Sequence, residues 1–192
     1  MAIFEGARLE EARAILGRYP EGRSRSAIMP LLYLAQSIEG HVSREGLREV
    51  ADLLGTTTAE VEAVATFYSM YRLRPTGTHV IGVCTNLSCM LRGARGVYDA
   101  AREAAGLRPG QHESEDGLVT LHEEECLGVC DLAPAVQINF VNHDEVSPDR
   151  MRQLIGALRD GEVPEPARGP RLASFKEASR VLAGLSPEGE GT

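Results

Sequence analysis

Cys84, Cys89, Cys126 and Cys130 are the only cysteines in a chain of 192 residues, and they form two close pairs, C-x4-C and C-x3-C. Four thiolates with none left over is the ligand count of an iron–sulfur cluster or a structural zinc. Structural zinc usually sits in tighter C-x2-C knuckles, so the wide first pair suits a larger, dinuclear core. A [4Fe–4S] cluster commonly brings C-x2-C-x2-C runs, which are absent. A Rieske centre needs two histidines, and only His122 is near. On spacing alone, zinc and redox or unpaired thiols stay open beside [2Fe–2S]. Gly128, inside the second pair, frees backbone amides to face sulfur, whose negative charge calls for N–H donors.

Each pair is expected where a strand ends. Residues 79–83 read as a strand delivering Cys84, with residues 85–88 looping to Cys89. Residues 91–105 read as an alanine-rich helix. Residues 118–121 form a second strand that runs through Glu123, Glu124 and Glu125 to Cys126. Residues 135–140 form a third strand, followed by a short one near Val146, and Ser147 caps a last helix over about 149–159. The order β-α-β-β-β-α is a small α/β layer with a helix on each side of a mainly apolar sheet.

Upstream, residues 5–74 read as helices. Leu31, Leu32 and Ala35 have helical spacing in a segment where Pro30 must lie near the start and Ser24 or Ser26 can cap. Leu47, Val50, Ala51 and Leu54 make a third stripe closed by Gly55. Thr57 and Glu60 form a capping box that opens a fourth helix with Val61, Val64 and Ala65 on its apolar face. Phe67, Tyr68 and Tyr71 are expected in packing between domains. Residues 74–77 mark a boundary. The expected organisation is a helical assembly domain over 1–74, an α/β cysteine-bearing domain over 75–160, and a tail over 161–192. That tail is rich in Pro, Gly and Glu; residues 172–185 have the pattern of an amphipathic helix, but the tail is expected to order only against a partner.

A net charge of −8 opposes duplex nucleic acid or an anionic membrane as partner. Residues 47–71 resemble a helix-turn-helix, which raises an iron–sulfur transcription regulator as a rival. The would-be recognition helix, however, carries Glu60 and Glu62 and no Lys or Arg before Arg72. No secretion signal is read at the N-terminus, and no apolar run approaches the ~20 residues of a membrane span. A cytosolic location is therefore expected, where disulfides do not persist.

The string VCTNLSCMLRGA, followed by ECLGVCDLAPAVQIN, closely resembles the thioredoxin-like [2Fe–2S] ferredoxin family that serves bacterial NADH:quinone oxidoreductase (respiratory complex I) as one of its subunits. The resemblance runs from about residue 26 to 159. It implies a helical bundle followed by a thioredoxin-like α/β ferredoxin domain, an α+β chain overall. It also implies that Cys84, Cys89, Cys126 and Cys130 hold one [2Fe–2S] cluster, exchanging single electrons with the FMN of a larger, NADH-binding partner subunit. The chain would then be peripheral to the cytoplasmic membrane through that complex. It shows no G-x-G-x-x-G after a strand, so no nucleotide site of its own is expected. Similar modules serve NAD-linked hydrogenases and formate dehydrogenases. In thioredoxin-like folds a cis proline often stands beside the active loop, which makes Pro134 a candidate. Glu123, Glu124, Glu125 and Asp131 flank the second cysteine pair and would lower the potential toward the plant-type value of about −400 mV.

Overall fold

The computed structural model describes residues 2–166, 168–171 and 173–187. It divides into two units, Met1–Pro75 with Lys176–Thr192, and Thr76–Phe175.

The first unit is built on α1 (Ala7–Leu16), α2 (Ile28–Glu39), α3 (Arg44–Leu54) and α4 (Thr58–Phe67). On α2, Leu31, Leu32, Leu34 and Ala35 are all fully buried, so this helix is the centre of the unit's core. Neither Ser24 nor Ser26 caps it. It continues from a 3-10 turn, Ser24–Ala27, and has no side-chain cap. Gly55 acts as read and ends α3 in the left-handed region at φ 63°. Ser43, which the stripe did not mark, opens that helix by accepting the Gly46 N–H at 3.1 Å. The Thr57–Glu60 capping box is formed. Hydrogen bonds from Thr56 and then Thr57 hold the Glu60 carboxyl down at about 2, with Arg25 adding a smaller effect. Of Phe67, Tyr68 and Tyr71, Tyr71 enters the core, its ring 4.9 Å from that of Tyr33. Phe67 and Tyr68 stack edge to face at the surface instead.

The second unit carries the cysteines on β1 (His79–Cys84), α5 (Leu87–Leu91), α6 (Ala94–Ala104), β2 (Val119–Glu124), β3 (Val136–Ile138), β4 (Val141–His143) and α7 (Pro148–Arg159). The sheet order is β2-β1-β3-β4. β1 and β2 are parallel with Ile81 opposite Leu121, and β3 and β4 run antiparallel, with Val136 opposite Val83 and His143 opposite Val136. Ile81, Val83, Leu121, Val136 and Ile138 thus share one face. They form a single core with Val97 and Ala101 of α6 and Met151, Leu154 and Ile155 of α7. The expected helix on each side of the sheet is therefore not found: α6 and α7 pack on each other over one face. The opposite face carries polar groups: Thr120, buried and accepting the Gly77 N–H at 2.7 Å, and the mutually bonded His122 and Glu124.

The third strand is shorter than expected. Asn139 and Phe140 have φ of 50° and 67°, so the chain turns there in a two-residue hairpin, and β4 follows at once rather than near Val146. The fully enclosed Asn139 secures the turn. Its Oδ1 accepts the Val80 N–H at 3.0 Å, and its Nδ2 donates to His79 Nδ1 at 3.1 Å.

Burial lowers the pKa of both His79 and His143 below the ordinary 6.5. A group that binds its proton less readily when folded contributes stability that is complete above the unfolded pKa. That stability is lost as pH falls from there toward the folded value. The urea midpoint is expected to be level from pH 8 to 7 and to decline below about 6.5. A His79→Gln, His143→Gln double variant should show a shallower decline, and an unchanged slope would overturn this assignment.

α8 (Phe175–Leu182) closes the described chain, and from Lys176 onward it belongs to the first unit. Ser179 is fully buried and accepts from Gln36 Nε2 at 3.1 Å, while Gln36 Oε1 accepts the Arg72 N–H at 2.8 Å. Arg180 pairs with Glu11, and Arg18 donates to the Ala183 and Gly184 carbonyls at 2.9 Å. The helical part of the tail, one of its two readings, thus packs on the chain's own helices, while residues 167, 172 and 188–192 lie outside the described residues. Among the described residues no helix is long and apolar enough to cross a membrane.

Candidate metal centre

Cys84 is the last residue of β1, and its N–H donates to the Ala135 carbonyl at 3.1 Å. Cys89 does not lie in a plain loop as expected. It sits within the short helix α5, which Asn86 opens by accepting the Leu87 N–H at 2.8 Å. Both thiols are 2% exposed, in a pocket of small side chains from Ala94, Ala133 and Ala135. Small residues leave room beside sulfur that larger ones would fill. Cys126 follows β2, and Cys130 opens the 3-10 turn Cys130–Leu132. Gly128, at φ 77°, turns the chain between them and brings their sulfurs to 3.3 Å, both at the surface. The Ala133–Pro134 peptide is cis.

Backbone amides face the sulfurs. Burial pushes the Cys89 thiol up, and an N–H from Ala135 opposes that shift. Ala135 therefore serves both buried cysteines, one through each backbone polar group. The Gly128 N–H is the main cause holding the Cys126 thiol down, with Cys130 also donating to it; the same contact pushes Cys130 up. The Ser88 hydroxyl bonds to Cys130 and links the first cysteine segment to the second. Cys89 also senses Cys84 and Cys130, so residues from both pairs are near neighbours. Among the described residues no three His, Cys, Asp or Glu side chains converge on one point closely enough to hold a single metal ion.

The glutamate run is not a free acidic patch. Glu123 pairs with Arg95 at 3.1 Å, Glu124 with His122 at 2.7 Å, and Glu125 accepts from Asn86 Nδ2 at 2.9 Å. The His122–Glu124 pair lies over Gly82, where an added Cβ would come within 2.5 Å of Glu124 Cγ. Ala135, Ser88 and Gly82 were not legible as site residues. Ala135 and Gly82 act through backbone groups or by having no side chain, and Ser88 through a hydroxyl whose partner lies on a distant segment, none of which spacing reveals.

The model of the thioredoxin-like [2Fe–2S] ferredoxin family matches residues 12–159. The chain belongs to this family. The ferredoxin domain is thus the mixed sheet and its two helices, and the match extends across the helical unit as well. Among curated relatives, an NADH-quinone oxidoreductase subunit of Mycobacterium tuberculosis (strain H37Rv) is 45% identical over 96% of this chain and 74% of its own length. An NADH-quinone oxidoreductase subunit of Thermus thermophilus is 44% identical over 74% of this chain and 78% of its own. Among solved structures, an NAD+-reducing [NiFe]-hydrogenase in the H2-reduced state matches with a TM-score of 0.59 at 22% identity. The match covers 68% of this chain but only 22% of the hydrogenase chain, a likeness of fold. The chain is therefore a ferredoxin-type relative of NADH-quinone oxidoreductase subunits.

Proposed function

We propose that this chain is the electron-transfer subunit of an NADH:quinone oxidoreductase and that Cys84, Cys89, Cys126 and Cys130 are its metal ligands. A [2Fe–2S] group held there supplies a one-electron redox centre that communicates with the FMN of a partner, NADH-binding subunit. The carrying observation is the pair of amide donors, Ala135 to Cys89 and Gly128 to Cys126, within a set of four neighbouring thiols. Thiolates in a poorly solvated pocket need such donors once their protons are gone.

The chain's residues prepare the site in distinct ways. Ala94, Ala133 and Ala135 exclude water from Cys84 and Cys89. Gly128 and Ala135 orient sulfur. α5 turns Leu87 and Leu91 outward, 70% and 79% exposed, on the same short helix as Cys89. An apolar patch beside a redox centre is where a partner would shorten the electron's path.

The test is the metal content and spectrum of the purified full chain. Two irons and two sulfides per chain in a brown, reducible protein support the reading, and a colourless protein with one zinc overturns it. Co-purification with a flavin-bearing, NADH-oxidising chain of a quinone reductase supports the assembly. Recovery with hydrogenase or formate dehydrogenase chains would select those complexes instead. Replacing Glu123, Glu124 and Glu125 together by Gln should raise the midpoint potential, because negative charge near the site disfavours added electrons. An unshifted potential would remove the three glutamates from the mechanism.

A further inference from the structure

We propose that Cys126 and Cys130 close to a reversible disulfide when the four thiols hold no metal, so that reduction gates the loading of the site. The loading half rests on the ferredoxin reading above; the disulfide itself does not. The two sulfurs are already 3.3 Å apart, so a movement of about an ångström brings them to bonding distance. Both residues are exposed, whereas Cys84 and Cys89 are buried among alanines. A small oxidant therefore meets the second pair first. Either sulfur of that pair can open the exchange, because both residues are exposed and each sulfur lies within reach of the other.

The co-oxidant is a low-molecular-weight disulfide such as oxidised glutathione. The thiolate of either exposed cysteine attacks one of its sulfurs, the S–S bond breaks, and one glutathione thiolate leaves. The thiolate of the other cysteine then attacks the protein sulfur of the mixed disulfide and expels the second glutathione. The two protons released by the protein thiols pass to the two glutathione thiolates. The protein dithiol is oxidised by two electrons and the glutathione disulfide is reduced to two thiols. With two of its four ligands tied in a covalent bond, the site takes up no metal until a dithiol reverses the exchange.

The experiment uses the full chain, freed of metal by chelation under reducing conditions and then incubated with oxidised glutathione without oxygen. After acid quenching, denaturation, alkylation and tryptic digestion, the peptide holding Cys126 and Cys130 should be unalkylated and lighter than its reduced form by about 2 Da. The peptide holding Cys84 and Cys89 should carry both labels. The oxidised chain should take up neither iron nor sulfide until dithiothreitol is added, and then as much as a chain never oxidised. A Cys130→Ser variant should stop at a glutathione adduct on Cys126. A disulfide involving Cys84 or Cys89, an adduct persisting in the unsubstituted chain, or full metal uptake without reductant would overturn the proposal. If instead the never-oxidised chain takes up no iron and sulfide, the ferredoxin reading fails, while the peptide masses still decide the disulfide.

Discussion

Cys84→Ser is expected to yield a folded, colourless chain whose iron content falls from about two per chain to near zero. The sulfur it removes stands at the end of a fully buried strand and is enclosed by small side chains, so no other thiol or carboxylate can take its place. A hydroxyl is a harder, less acidic donor than a thiol and stays protonated at neutral pH, which removes one negative ligand charge. The fold cost is smaller, about 1–3 kcal/mol, from burying a hydroxyl where sulfur was. Far-UV circular dichroism should therefore match the parent while iron and acid-labile sulfide assays diverge. The same substitution at exposed Cys126 should cost less stability and as much iron. A Cys84→Ser protein that keeps two irons and its colour would remove Cys84 from the ligand set.

Asn139→Ala is expected to destabilise the second unit by about 2–4 kcal/mol, read as a lowered denaturant midpoint. Three effects add. The Val80 N–H, buried in β1, loses its acceptor, and His79 Nδ1 loses its donor. The third is backbone strain, because alanine tolerates φ of +50° less well than asparagine does. Two further variants separate these causes. Asn139→Gly removes the strain and should recover only part of the loss. Asn139→Asp keeps an acceptor for Val80 but places a carboxylate against His79, which should move that imidazole's pKa upward in an NMR titration. A near-wild-type midpoint for Asn139→Ala would mean that the hairpin turn is held by strand packing alone.

The features legible in the sequence are local. The two cysteine spacings, the Thr57–Glu60 box, the Ser147 cap and the helical stripes of α2 to α4 each involve residues a few positions apart. Short-range geometry alone decides whether such groups meet. The cis peptide before Pro134 was within reach only through family resemblance. Features that depend on distant residues were not legible. Ala135 serves Cys84 and Cys89 through its backbone, which carries no residue code. Asn139 ends β3 because its amide has partners on β1, some sixty positions earlier. α6 and α7 share one face because the strand register puts Ile81, Leu121 and Val136 on the same side. α8 finds its place through a buried amide on α2. The sequence thus determined which groups could bind metal and which segments could be helices. Tertiary structure decided which backbone donors face the sulfurs, because those contacts exist only once the sheet has set its register.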